Sequence, residues 1–377
     1  MKNYPLKTLA NIKKGRISEE CKDGLPLLDM EYLRKTDVEP KLVSNINAVT
    51  ASPTDMLILW DGSNSGEFIE SKYGVVGSTL ALIKPNIQKV NPRFFYYSCK
   101  TSEKRLQDLT IGMGIPHVNG QVLKSLSISI PEIDTQIMIA EFLDHKIAKI
   151  NQTIAKKKQL INLLEEKRTI TINNSIQNAN GIKTKIKHVV KINPTTKNNF
   201  KFSESASFIP MEAVSEDGVV NLQERKIQNV ISGYTYFEEN DVVIAKITPC
   251  FENGKAAVIK GLVNGFGFGT TEFIILRSGK KIMPEYLYYL IFSRHFRENG
   301  TNEMRGTAGQ KRLTESYVGH YSFNLPSREN QLKIIENIKN QLSIIDNAKD
   351  KLDESVALLE EYKISLISNA VTGRVKI

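Results

Sequence analysis

The sequence predicts an α+β protein: two mixed, strand-bearing globular regions separated by two long antiparallel coiled-coil helices, arranged as an internal repeat with pseudo-two-fold symmetry. Three observations predict it. One stretch of chain occurs twice. Both copies carry helical periodicity with no interrupting proline. The segments ahead of the copies present strand, helix and loop signals in the same order.

The first copy opens at Pro131 and the second at Pro326. Pro131 matches Pro326, Gln136 matches Gln331 and Glu141 matches Glu336, each pair 195 positions apart. The same shift aligns Leu163-Leu164-Glu165-Glu166 with Leu358-Leu359-Glu360-Glu361. Apolar residues recur at Ile147, Ile150, Ile154, Ile161 and Leu164, and at Leu342, Ile345, Leu352, Val356, Leu359 and Leu366. This three-and-four spacing is a coiled-coil seam. Lys157 stands at a seam position where the second copy has Leu352, and Lys349 stands where the first has Ile154. Such complementary flaws fit two helices packed on each other in one register; packing of each on its own globular neighbour is the alternative. Expected domains are residues 1–131, helical segment 132–178, residues 179–326, and helical segment 327–377.

In chain order, DMLILW (55–60) and GVVGSTLALIKP (74–85) read as strands, and PRFFYYSCKTSEKRLQDL (92–109) reads as a helix with Pro92 in its first turn. GMGIPHVNG (112–120) reads as a loop, and LKSLSISIP (123–131) as a closing strand. Asn180-Gly181 punctuates the end of the first long helix. The order then repeats with DVVIAKITP (241–249), GFGFGTTEFIILR (265–277), PEYLYYLIFSRHFRENG (284–300), RGTAGQKRL (305–313) and GHYSFNLP (319–326). The globular parts match in outline while their loops differ, as expected of two modules that read two different things.

A chain of 377 residues is long enough for two or more cores. Its net charge of +10 fits a polyanionic partner, although charge alone leaves a merely basic protein open. Cys21, Cys99 and Cys250 are scattered, as expected of buried free thiols in a reducing cytosol. MKNYPLKTLANIKKG has no apolar signal core, and no apolar run approaches the roughly 20 residues of a membrane helix. A cytoplasmic location without membrane association is expected.

The duplicated Pro-x₄-Gln helical openings, the paired LLEE runs and the ending NAVTGRVKI (369–377) resemble the specificity subunit of type I restriction-modification enzymes. GMGIPHVNGQVLKSLSISIP (112–131) and GTAGQKRLTESYVGHYSFNLP (306–326) are similar to the close of that family's target-recognition domains. The resemblance spans essentially the whole chain. It implies two target-recognition domains that bind double-stranded DNA, and a subunit without catalysis of its own. It implies two modification (methyltransferase) subunits and restriction subunits as partners. S-adenosylmethionine, ATP and Mg would then belong to those partners, with no cofactor in this chain. A helix from Ile147 to Ile176 would span about 45 Å, a little over the roughly 34–36 Å of one DNA turn. A bipartite target with unread base pairs between its halves is therefore expected.

Motifs that could carry catalysis in this chain are weak. GFGFG (265–269) lies at a strand start without an acidic partner, which favours a turn or bulge over a cofactor loop. Asn91-Pro92-Arg93-Phe94 reads as a helix start rather than a methyltransferase motif. Nuclease-like triplets such as Glu70–Lys72 and Glu361–Lys363 arise often by chance, the second lies on a coiled-coil helix with no partner aspartate in view, and the five histidines form no metal-ligand pair. No catalytic or metal residue is expected. Base readout favours Arg and Lys on guanine and Asn and Gln on adenine. The DNA-contact candidates in the first region are Asp61, Ser63, Asn64, His117 and Asn119. In the second they are Lys246, Thr248, Asn253, Lys255, Arg305, Gln310, Lys311 and Arg312, with 305–312 foremost. For His117, DNA contact and the capping of a turn stay open. Two other classes of function remain: a self-contained DNA methyltransferase or nuclease, and a coiled-coil scaffold that binds protein.

Overall fold

In the computed structural model the described residues are 2–35, 37–112, 114–195, 204–215, 218, 220–307 and 309–375. The chain divides into two compact units, Met1–Lys158 with Asp353–Ile377, and Gln159–Leu352. The two long helices run Ile133–Gln177 and Arg328–Val371. Each unit therefore holds one strand-bearing head, the start of one long helix and the end of the other. Cys99 is buried, but Cys21 is exposed and Cys250 half-buried, so the expectation of three buried thiols is corrected.

The first head closes on itself through Lys2–Pro5, which pairs antiparallel with Ser127–Ile130. The head also holds a four-stranded antiparallel sheet in the order Ala10–Lys14, Leu80–Pro85, Met56–Leu59, Phe68–Glu70. A second sheet has the order Leu42–Val43, Glu20–Leu28, Gly74–Val76, Thr50–Ala51. Its central pair is parallel, with Leu27 opposite Val75. The expected single strand 74–85 is thus two strands in two sheets. The chain crosses between them at 77–79, where the Gly77 carbonyl accepts the Leu80 N–H and a Cβ on Gly77 would lie 2.9 Å from the Leu28 carbonyl oxygen. The crossing falls on Gly77-Ser78-Thr79, with Thr79 exposed, a three-residue interval between two short buried runs.

The expected helix 92–109 is two helices, Pro92–Lys100 and Glu103–Asp108. Asn91 caps the first by accepting the Arg93 and Phe94 N–H groups, and Pro92 occupies the first turn. The expected closing strand 123–131 begins as a helix, Gly120–Ser125, before strand Ser127–Ile130.

The second head repeats this plan. Ile182–Lys185 pairs with Ser322–Leu325. One sheet runs Val190–Ile192, Phe273–Ser278, Val242–Ala245, Ala256–Val258, and the other Gln223–Lys226, Ser205–Ile209, Phe266–Gly269, Thr235–Glu238. Again the central pair of the latter is parallel, Phe208 opposite Phe268. GFGFG is mostly buried strand, with Gly267 pressed against the Phe237 ring, which leaves no cofactor loop there.

Within each unit the long helices run antiparallel. In the first, Lys363 donates to Asn151 at 3.3 Å and Lys158 approaches Glu360 at 3.6 Å. In the second, Lys349 pairs with Glu165 and Arg168 with Asp346. Asn151–Lys363 and Asp346–Arg168 occupy corresponding positions, each residue 195 places from its counterpart. Of the seam residues, Ile150, Ile154, Leu342, Ile345 and Leu366 are buried, and Ile147, Ile161, Leu164, Leu352, Val356 and Leu359 half-buried. Lys349 is half-buried because its ammonium reaches Glu165 while its stem stays at the seam.

The matched glutamines tie each long helix to its head. Gln136 is 1% exposed; its Oε1 accepts the Asn91 N–H at 2.8 Å and its Nε2 donates to the Pro131 carbonyl at 2.9 Å. Gln331 is fully buried; it accepts the Met283 N–H at 2.8 Å and donates to the Pro326 and Lys281 carbonyls, each at 2.9 Å. Asn91 and Met283 immediately precede Pro92 and Pro284, so the same lock joins two helix starts in both units.

Candidate nucleic-acid interface

The glycine loops of the two heads are built alike. In the first head, Ile111 and His117 exchange backbone hydrogen bonds (3.0 and 2.7 Å) and so close a short hairpin. That hairpin docks on the chain leaving strand Met56–Leu59, through Gly62 N–H to the Pro116 carbonyl and Val118 N–H to the Trp60 carbonyl. In the second head, Arg305 and Arg312 exchange the corresponding pair (3.0 and 2.8 Å). There the docking bonds run from Thr248 N–H to the Lys311 carbonyl and from Leu313 N–H to the Lys246 carbonyl. The residue after the first bridge is glycine in both, Gly112 and Gly306, at φ +113° and +139°. A Cβ there would lie 2.7 Å from the Ile115 oxygen or 2.5 Å from the Gln310 oxygen.

His117 and Arg312 thus hold the same place, and a carboxylate grips each. Asp61 lies 2.6 Å from His117 Nδ1 and accepts from Lys14 Nζ at 2.9 Å. Burial pushes the Asp61 carboxyl up, but hydrogen bonds from Lys14 and His117 outweigh it and hold the group below the usual aspartate range. An ionised Asp61 only accepts, so His117 Nδ1 is the donor and Nε2 faces away from this bond. In the second head Glu272 accepts from Arg312 Nε at 3.0 Å and from Nη2 at 2.8 Å. The hydrogen bond from Arg312 holds the Glu272 carboxyl below its ordinary range. Glu272 and Lys14 were missed in the sequence. The only trace of Glu272 is an acidic residue at the mouth of the buried strand FIILRS.

The remaining candidates divide. Ser63 and Asn64 are exposed on the loop beside the first hairpin. Asn119 is the N-cap of Gly120–Ser125, its side chain accepting from Gln121 and Val122, so its oxygen has a structural task. His117 bonds a side chain rather than capping a turn. Thr248 bolts the second hairpin down: its hydroxyl donates to the Gly309 carbonyl at 2.5 Å and accepts the Lys311 N–H at 3.1 Å. Lys255 reaches the Met211 carbonyl at 3.4 Å, and Lys246 is half-buried at the docking bond. Asn253, Arg305, Gln310 and Lys311 are exposed.

The nuclease-like triplets have other employment. Glu70 pairs with Arg93 at 2.9 Å, and Lys72 donates to the Tyr32 carbonyl at 2.9 Å and lies over its ring. Lys363 serves the helix pair. Among the described residues no group of three His, Cys, Asp or Glu is placed to hold a metal, and no helix is long and apolar enough to cross a membrane.

The chain is similar to known proteins in sequence and in fold. The profile of the type I restriction modification DNA specificity domain matches residues 1–165. The type I restriction enzyme EcoAI specificity subunit of Escherichia coli is 39% identical over 155 residues, 40% of this chain and 26% of its own length. The EcoEI specificity subunit of the same species is 38% identical over 135 residues, 35% of this chain and 23% of its own length, so the matches cover about a quarter of those two relatives. The MjaVIII specificity subunit of Methanocaldococcus jannaschii is 25% identical over 389 residues, 96% of this chain and 88% of its own length. A chain from a structural study of complex assembly and conformational transition in a type I R-M system superposes with a TM-score of 0.76 at 12% identity, covering 98% of this chain and 97% of its own. The HsdS subunit of Thermoanaerobacter tengcongensis gives 0.55 at 14% identity, with 99% and 97% covered. These two share the fold. Beside the doubled head and the doubled helix lock stand these likenesses: residues 1–165 match the type I restriction modification DNA specificity domain, and nearly the whole chain is similar to the MjaVIII specificity subunit.

Proposed function

We propose that this chain is the DNA-reading, non-catalytic subunit of a type I restriction-modification complex, and that its two heads each read one half of a bipartite duplex target. The observation that carries this is the pair of hairpins: one backbone frame, built twice, that presents unlike side chains at the same point, His117 in one head and Arg312 in the other. Two such modules recognise an asymmetric target where one module used twice would recognise a repeat. The net charge of +10 supports a polyanionic partner. In this reading the long helices hold two modification (methyltransferase) subunits, restriction subunits join them, and S-adenosylmethionine, ATP and Mg are bound by those partners.

The test is duplex binding by this chain together with its modification subunit across salt, with methylated bases mapped in cells that carry both. Binding is expected to weaken steeply with salt, and Lys311→Ala to make the slope shallower by roughly one. Methylation is expected at a target of two short blocks separated by unread base pairs. A purified chain that binds S-adenosylmethionine or cuts DNA by itself would instead favour a self-contained enzyme. Absence of salt-sensitive binding would favour a protein-binding scaffold.

A further inference from the structure

Building on the reading that the second head binds a duplex, we propose that Arg312 reads a guanine in that head's half-site, with Glu272 as its positioning residue. The geometry of the guanidinium carries the proposal. Glu272 takes the side of the group, Nε and Nη2, at 3.0 and 2.8 Å. Among the described residues Nη1 makes no hydrogen bond, and Nη2 keeps a second hydrogen, so the end of the fork is left with parallel donors. Guanine presents O6 and N7 as paired acceptors in the major groove, the pattern such a fork matches. A long flexible side chain ordinarily loses rotamer freedom when it binds. Here the carboxylate has already chosen the rotamer.

The backbone under Arg312 is equally prepared. The bridge to Arg305, the docking of Leu313 on Lys246 and the Thr248 bolt hold it on three sides. The bridge also sets Arg305 directly opposite Arg312. Like charges at directly opposed positions of a hydrogen-bonded pair destabilise a ladder. Glu272 neutralises one of the two, and an acceptor-rich polyanion would satisfy the other. A surface ion pair with no further role contributes little on its own. Yet a carboxylate-held nitrogen side chain recurs at the same backbone place in the first head, where His117 is gripped by Asp61. The two carboxylates come from different places. Asp61 follows the central strand Met56–Leu59, whereas Glu272 precedes the neighbouring strand Phe273–Ser278. What the two heads share is a carboxylate-held side chain at the hairpin's end, His117 in one and Arg312 in the other.

The experiment uses the complex of this chain with its modification subunit. Its target is first read from methylated bases. Each guanine of the target is then replaced in turn by 7-deazaguanine, which lacks the N7 acceptor, and binding is compared. One guanine is expected at which this replacement weakens the wild type about tenfold. At that guanine Arg312→Ala is expected to bind the two duplexes equally, and Arg312→Lys to lose most of the discrimination. Glu272→Gln is expected to lower the discrimination more than it lowers binding to unrelated duplex, which a merely structural role would not do. Arg312→Ala with wild-type discrimination at every guanine, or a target without guanine, would overturn the assignment while salt-dependent duplex binding kept the proposed function. A wild-type complex with no salt-dependent binding would remove both.

Discussion

Gln136 and Gln331 show what a single matched residue can mean. In the sequence they fix the register of a repeat. In the structure each is a buried amide whose oxygen and nitrogen satisfy backbone groups at the start of two different helices. A buried donor or acceptor left without its partner costs about 1–3 kcal/mol. Gln331→Ala strands the Met283 N–H and the Pro326 and Lys281 carbonyls, and the small side chain lets water reach some of them. A loss of roughly 2–4 kcal/mol is expected, measured by chemical denaturation beside the wild type. A loss under about 0.5 kcal/mol, the scale of an ordinary surface change, would mean the amide is not a lock. The hairpin residues teach the opposite lesson. His117, Arg312 and Asn119 were all candidates by residue type, Arg312 in the foremost run, and their hydrogen bonds separate them: two side chains gripped by carboxylates and one N-cap.

At the scale of elements, the long helices were legible throughout, because a three-and-four apolar rhythm sustained over many turns forms one continuous stripe only on a helix. Their ion pairs and their seam differ in weight. Lys349–Glu165 is a partly exposed pair, 38% and 56%, and such pairs contribute about 0–1 kcal/mol. Leu342 is 7% exposed within the core of the second unit, and truncating such a residue costs about 2–5 kcal/mol. Leu342→Ala is therefore expected to move the denaturation midpoint clearly, and Lys349→Ala to move it little. The reverse ranking would show that the charges, not the seam, hold the helices. The strands were less legible. GVVGSTLALIKP is two strands in two sheets, and LKSLSISIP is a helix turning into a strand. The first crossing spans only Gly77-Ser78-Thr79, too short an interval to split one apolar run into two, and a helix of six residues is too short to show its period.

At the scale of the molecule, the duplication is the main fact. Each head carries the same two sheet orders and the same parallel central pair, and each unit the same antiparallel helix contact. If the helices set the distance between two half-sites, removing one heptad from each at paired positions keeps the seam in register and shortens the path by about 10 Å. The unread spacer in the methylation map is then expected to contract by about three base pairs. An unchanged spacer would show that something other than helix length sets it.

The sequence by itself determined that a unit is repeated, where the helices lie and which loops differ, because periodicity and identity at fixed spacing survive without coordinates. It also carried the family resemblance in its doubled motifs. Only the tertiary structure decided which sheet each strand joins, that Gln136 and Gln331 are locks, and that Glu272 and Asp61 hold the side chains at the hairpin ends. Those facts depend on groups far apart in the chain, such as Glu272 and Arg312, meeting through backbone crossings. No local pattern encodes such a meeting.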